Sequence, residues 1–409
     1  MGLMGTKERA AGKSHIMKNA LSSSLSLIEA PIGCLLTVAI VPLVVVCIAY
    51  GGAASANPSS RVATPSSETR KSNAIAIAPG QTSGGTVSYK MSAGENGELP
   101  VLPASGVPKP SGIPGGLRVL DWAGLKAAVT YTFDDGSQAP YYPQLHATGL
   151  RVTFFLNSNA GNVSTWTQAA RDGNELGNHT AHHCRADGTS CVGTYAGSLE
   201  DEYDLCTEYI KRTYGVRDVW TTASPYGDTG WDNVAKTRFF LNRGVWPGQI
   251  APVDSTAPYN LLTYGVPNGT TASTINAQID AARTAGKWQI FLLHSLDNNA
   301  VKVSEVVASM NHAKSLGDVW IDSVVNIGAY WAGQKALANA TSTRSGTDII
   351  VRWKLPANFS KGRHVRVTVT GGTLKQEGQA LPWNKGGYYD VALDPESLTI
   401  SQDVMHRAE

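Results

Sequence analysis

Runs of Lys and Arg are missing from the body of this chain, and over 409 residues the charges nearly cancel, to a formal net of +2. Nothing in the body would track a phosphate backbone, so nucleic acid is not an expected partner. Charged residues of every kind make up only 16% of the sequence while 42% is hydrophobic, a share that supports a sizeable globular core. Cysteine is scarce too. There are five, none in Cys-x-x-Cys spacing, which speaks against a zinc-thiolate cluster. Cys34 and Cys47 fall in an apolar stretch, leaving Cys184, Cys191 and Cys206. Three cannot all pair, so one disulfide is expected, joining Cys184 to Cys191 or to Cys206. Phenylalanine, at seven residues, is outnumbered by ten Trp and fifteen Tyr, whose rings carry a polar tip and suit both core packing and sugar faces.

Large apolar residues are few in 57–116, where Ser, Gly, Ala, Thr and Pro dominate. Such a stretch cannot bury enough surface to fold alone and reads as a linker. Its proline-rich end, Leu99 to Pro114, suits an extended strap along the next domain. Before the linker, Lys7, Arg9, Lys13 and Lys18 precede an apolar segment, 32–50, and then small residues including Ala54 and Ala56. That order is an export signal over 1–56. Cleavage after Ala56 and retention of 32–50 as a membrane anchor both fit. Either places the rest of the chain outside the cytoplasm, secreted or tethered.

Short β-like runs start at 126–133 and recur at 151–156, 175–179, 219–223, 239–245, 289–294 and 319–323. Helical periodicity lies between several of them, at 198–214, 272–285 and 301–316. Alternating strands and helices predict a parallel α/β sheet, flat or closed, with its chemistry at strand C-terminal ends. After Trp331 the helical pattern stops, and runs at 348–353, 364–370, 388–393 and 398–400 predict a small all-β module over 340–409.

The first run ends in Asp134-Asp135-Gly136. Two adjacent carboxylates are costly to keep ionised together unless a cation lies between their tasks. His179 and His183, four residues apart, turn their imidazoles the same way on a helical turn, and Asp135 would complete a two-histidine, one-carboxylate metal set.

In this order and spacing the residues resemble the polysaccharide deacetylase family, also called the NodB-homology domain or carbohydrate esterase family 4, over roughly Val119 to Trp331. The resemblance implies a distorted (β/α) barrel, in a domain placed at 117–335, that removes acetyl groups from a polysaccharide such as chitin, peptidoglycan or an exopolysaccharide. N-acetyl is the expected target, with O-acetyl esterase activity and a catalytically weakened sugar-binding relative as alternatives. It implies Asp134 as general base and Asp135, His179 and His183 as ligands of a divalent metal, Zn2+ or else Co2+, Ni2+ or Fe2+. It gives His182 no role. The family's Arg-x-Pro-[Tyr/Phe]-Gly motif is met by Pro225-Tyr226-Gly227, with the Tyr226 amide as oxyanion donor. The Leu293-His294 pair supplies a general acid, His294. Two departures stand out. Ala223 occupies the arginine position, so either the Asp134 base loses that support and its pKa rises, or another cation such as Arg243 substitutes. The family's site-lining Asp and Trp have only Asp254 and Trp246 as nearest candidates.

Overall fold

A computed structural model describes residues 99–402, so the expected export signal, the apolar segment 32–50 and the linker as far as residue 98 lie outside the described residues. Among the described residues no helix is long and apolar enough to cross a membrane.

After a two-residue strand β1 (Arg118–Val119), the eight residues of β2 (Ala127–Asp134) are buried without alternation. A strand covered on both faces belongs inside a parallel sheet. Helices and strands then alternate through α1 (Tyr142–His146), β3 (Thr153–Leu156), α2 (Val163–Arg171), β4 (Glu175–Asn178), α3 (Leu199–Tyr214), β5 (Thr221–Ala223), α4 (Asp232–Arg238) and β6 (Leu241–Pro247). They continue as β7 (Leu261–Gly265), α5 (Ala272–Ala285), β8 (Trp288–Leu293), α6 (Val303–Ser315), β9 (Val319–Ile321) and α7 (Val324–Ala338). The caps follow local chemistry. Ser198 accepts a hydrogen bond from the Asp201 N–H at the start of α3, and Gly215, at φ 73°, ends it.

The sheet is parallel throughout, in the order β3-β4-β5-β6-β7-β8-β2-β9, and a further pairing of β2 with β3 closes seven strands into a barrel. Its distortion has a local cause. One edge of β2 is divided: Thr132–Asp134 pair with β3, while Ala127–Val129 pair with β9. The ring therefore closes only in its upper half, at the strand C-terminal ends, and β9 wedges it open below. Polar residues fill that lower gap. Arg151, before β3, and Asp322, after β9, form a buried two-pronged ion pair. Glu175, at the start of β4, accepts hydrogen bonds from Thr153, Thr221 and the Val325 N–H, and burial pushes its carboxyl above the ordinary value.

The expected change of pattern after Trp331 comes later than expected, because α7 runs on to Ala338. Beyond it, β10 (Thr341–Ser345), β11 (Asp348–Arg352), β12 (His364–Thr368), β13 (Thr373–Gln376), β14 (Gln379–Ala380), β15 (Tyr389–Ala392) and β16 (Ser397–Ser401) form antiparallel sheets. One has the order β10-β11-β16-β13-β14. The other, β1-β12-β15, takes its edge strand from ahead of the barrel.

The segment leading to β1 runs against these strands. The Ser105 N–H donates to the Lys385 carbonyl, Trp383 Nε1 donates to the Val107 carbonyl, and Gly115 bridges Gly371. A Cβ on Gly371 would come within 2.1 Å of the Ile113 carbonyl oxygen, a backbone atom with nowhere to go. Gly371→Ala should therefore release this strap, read as faster limited proteolysis within 99–117 at unchanged metal affinity; parental cleavage rates would contradict it.

Candidate metal centre and active site

Every residue that the sequence singled out for chemistry, apart from Asp254, lies toward the C-terminal ends of the barrel strands. Asp134 ends β2, His179 follows β4, Tyr226 lies in the turn after β5, and His294 follows β8. The backbone is bent to bring them there. Asp135, Thr180, His183 and Tyr226 all hold positive φ, between 51° and 71°, a region that non-glycine residues enter at a cost and that gathers at functional sites.

Asp135 Oδ1 lies 3.5 Å from both His179 Nε2 and His183 Nε2, and these three donors form a cluster within 4.8 Å of one another. His179 Nδ1–H donates to the Ala223 carbonyl at 2.7 Å, which leaves Nε2 as the lone-pair nitrogen, and that atom is buried with no hydrogen-bond partner. A buried, unpartnered imidazole nitrogen facing a carboxylate and a second imidazole fits a divalent cation. The electrostatics are divided: at His179 burial works against protonation but the charges of Asp134 and Asp135 outweigh it, whereas Asp135 and His183 shift as ligands would. Burial works against ionisation of Asp135, but the neighbouring imidazoles of His179, His183 and His294 outweigh it and bring the carboxyl down to about 2. Burial and the His179 charge lower the proton affinity of His183, favouring its neutral, ligating form.

Asp134 is buried beside this cluster. Its Oδ2 is 3.9 Å from His179 Nε2 on one side and 3.9 Å from the half-exposed His294 Nε2 on the other. Residues 123–238 match the family described as polysaccharide deacetylase. Through this segment the chain is similar to the polysaccharide deacetylase family.

Solved structures similar to the chain include the Xyl-CE4 domain of a multidomain xylanase from the hindgut metagenome of Trinervitermes trinervoides. It is 20% identical, with 49% of this chain and 88% of that one covered and a TM-score of 0.36. A family 4 carbohydrate esterase from Bacillus anthracis is 16% identical over 52% of this chain and 86% of its own, with a TM-score of 0.33. A peptidoglycan N-acetylglucosamine deacetylase is 18% identical over 53% and 91%, with a TM-score of 0.36. No curated protein matches the chain.

Against the polysaccharide deacetylase pattern, the structure places the remaining residues as follows. Ala223 is buried on β5, and Arg243, its in-register partner on β6, donates to Asp134 Oδ2. The Tyr226 ring packs edge-on to His183 at 4.7 Å between centroids, its hydroxyl donates to the Ser190 carbonyl, and Arg185 lies over its face. Trp246 stands 60% exposed at the end of β6. Asp254 accepts from the Ala251 and Thr256 N–H groups and so braces its own loop. His182 donates through Nδ1 to the buried Glu202. Of the two expected pairings, Cys184–Cys191 is the one formed, directly after His183, and Cys206 is buried and free among the described residues.

Sequence reasoning passed over one supporting residue. Gln138, fully buried, donates through Nε2 to the carbonyls of both Asp134 and His294, at 2.8 and 2.7 Å. It ties together the strand ends that carry the two proton-handling candidates. Gln138→Ala should leave metal affinity at the parental level and cut kcat about tenfold or more, because small misplacements of reacting groups are expensive. Steady-state acetate release with parental kcat would remove this role from Gln138.

Proposed function

We propose that the protein is a metal-dependent hydrolase that removes acetyl groups, N-acetyl first among them, from a polysaccharide. One observation carries the reading: Asp134 lies between the Asp135-His179-His183 cluster and His294, 3.9 Å from an imidazole on each side. Asp135, His179 and His183 would hold the cation, for which Zn2+ suits two imidazoles and a carboxylate. When bound, such an ion supplies Lewis-acid polarisation of the acetyl carbonyl and a water of lowered pKa.

The remaining work belongs to the chain. Asp134 accepts a proton from the attacking water, and the Tyr226 N–H donates to the oxygen that becomes negative. His294 as imidazolium gives a proton to the departing nitrogen, so that acetate and a free amine leave. Its exposure allows the long glycan to reach it from solvent. Reading the chain as a non-catalytic sugar binder drew on the missing family arginine, and the pairing of Arg243 with Asp134 argues against it.

The test is acetate release from a panel of acetylated chitin, peptidoglycan and xylan oligosaccharides, before and after chelation and after Zn2+ is restored. Release that stops with chelator and returns with metal is expected. Release indifferent to chelator, or none from any member, would sink the proposal, and release from xylan alone would assign an O-acetyl ester.

A further inference from the structure

Directly after His183 the chain makes a closed loop. The Cys184–Cys191 disulfide joins its ends, the Arg185 N–H donates to the Thr189 carbonyl, and the Gly188 N–H donates back to the Arg185 carbonyl. Just past the loop, the Val192 N–H donates to the His182 carbonyl. The loop also grips the turn that carries Tyr226. The Ala186 N–H donates to Asp228 Oδ2, the Tyr226 hydroxyl donates to the Ser190 carbonyl, and the guanidinium carbon of Arg185 lies 4.4 Å from the centre of the Tyr226 ring.

This loop presents an exposed cation that has no counter-ion. Among the described residues, the Arg185 guanidinium makes no ion pair and no hydrogen bond. The acid of the same loop, Asp187, accepts from the Thr189 hydroxyl and N–H. Those hydrogen bonds lower its carboxyl, and the Arg185 charge adds a lesser share without an ion pair. A freely moving surface arginine would mean little. This one is stacked on an aromatic ring and its backbone is held in a disulfide-closed loop. Its N–H fork is unspent, suits the two oxygens of a carboxylate, and loses little freedom on binding one.

Its place matters as much. The Tyr226 ring that Arg185 covers also lies 4.7 Å, centroid to centroid, from the His183 ring. One aromatic side chain thus touches both a proposed metal ligand and the cation. Around the same turn, Val245, packed against Gly227, and Trp246 are exposed and uncharged.

We propose that Arg185 binds a carboxylate on a sugar adjacent to the acetylated one, so that this site prefers an acidic glycan to a neutral one. The proposal rests on the deacetylase reading and gives it a substrate class. The carboxylate belongs either to a lactyl ether, as in peptidoglycan stripped of its peptides, or to a uronic acid, as in acidic xylan. Both offer two oxygens to the same fork.

The test uses the full-length, Zn2+-loaded protein with Arg185→Gln and Arg185→Lys, each measured for kcat, KM and Tm. The substrates are peptide-free peptidoglycan tetrasaccharides and acetylated glucuronoxylan oligosaccharides, each beside a counterpart whose carboxyl groups have been reduced to alcohols, and neutral chitotetraose. The parent should favour one acidic substrate over its reduced counterpart about tenfold in kcat/KM. That preference should shrink as salt rises, because exposed charges are screened. Arg185→Gln should bring the acidic substrate down to the level of its reduced counterpart, chiefly through KM. Arg185→Lys, which keeps the charge without the planar fork, should retain part of the preference. The pair that shows the effect identifies the source of the carboxylate.

Equal kcat/KM on acidic and reduced substrates in the parent would overturn the proposal. So would an Arg185→Gln that slows acidic and reduced substrates by the same factor, which would make the arginine a prop for the Tyr226 turn. If Arg185→Gln does not fold, Arg185→Lys at parental Tm decides by whether its acid preference falls. Turnover of chitotetraose with no acid preference leaves the deacetylase reading standing and removes this proposal alone. If the parent releases no acetate from any substrate, the functional reading fails separately, and calorimetric binding of the same oligosaccharides decides. Tighter binding of an acidic form, abolished in Arg185→Gln, supports the proposal, and equal binding of both forms overturns it.

Discussion

Asp134→Asn should bind Zn2+ as tightly as the parent and release acetate about 10³-fold more slowly, within the range that a positioned general base contributes. The proposed cation cluster consists of Asp135, His179 and His183, so the neighbouring carboxylate can lose its charge without removing a ligand. An amide oxygen still accepts from Arg243, but an amide takes no proton from water. Chelator competition and acetate release on the same sample separate the two properties. Normal turnover would show that Asp134 is not the base. A parallel collapse of metal affinity would instead make it a ligand.

Asp322→Ala should give the largest loss of stability, roughly 3–5 kcal/mol, the usual cost of removing one partner from a buried ion pair. Asp322 is fully buried and accepts from Arg151 through both oxygens, from its neighbour Ser323 N–H and from Asn326 Nδ2. Truncation would strand the Arg151 guanidinium where β9 wedges β2 from β3. Urea unfolding measures the effect. A loss below about 1 kcal/mol would mean that water reaches the gap. Replacing both charges together, Arg151→Met with Asp322→Leu, should cost far less, since paired removal leaves no buried charge behind.

What was legible in the sequence was whatever left a local mark. The strand ending in Asp134-Asp135-Gly136, the four-residue spacing of His179 and His183, and the capped helix α3 all stand in short windows of residues. Other elements leave no such mark. α7 is buried nearly all round, from Val324 to Leu337, so it has no apolar stripe for periodicity to find. β10 reads Thr-Ser-Thr-Arg-Ser and is wholly exposed, with nothing to distinguish it from a loop. β7 is a five-residue strand that the expected pattern omitted.

The candidate site divides in the same way. Its proposed ligands announce themselves by spacing, although His179 to His183 form a loop with positive φ at Thr180 and His183 and not the expected helical turn, whereas the partner of Asp134 lies 109 residues away and depends on which strands are neighbours. Arg243 could be named from the missing arginine at 223, but only strand register brings it to the carboxylate. Gln138 leaves no sequence signal, because its role consists of two carbonyls that the barrel brings together. The choice between the two cysteine pairings likewise depended on the path of the loop after His183, not on spacing.

The small sheet β1-β12-β15 gives the barrel a clasp. Strand β1 enters just before the first barrel strand, and β12 returns after α7 has left, so the two flanks of the ring are hydrogen-bonded to each other. A cut that isolates the barrel opens this clasp from one side or the other, leaving β12 with a bare edge or β1 with nothing to pair with. Rejoining the chain elsewhere is gentler. New termini opened in the exposed turn at 267–269, between β7 and α5, would keep both flanks together.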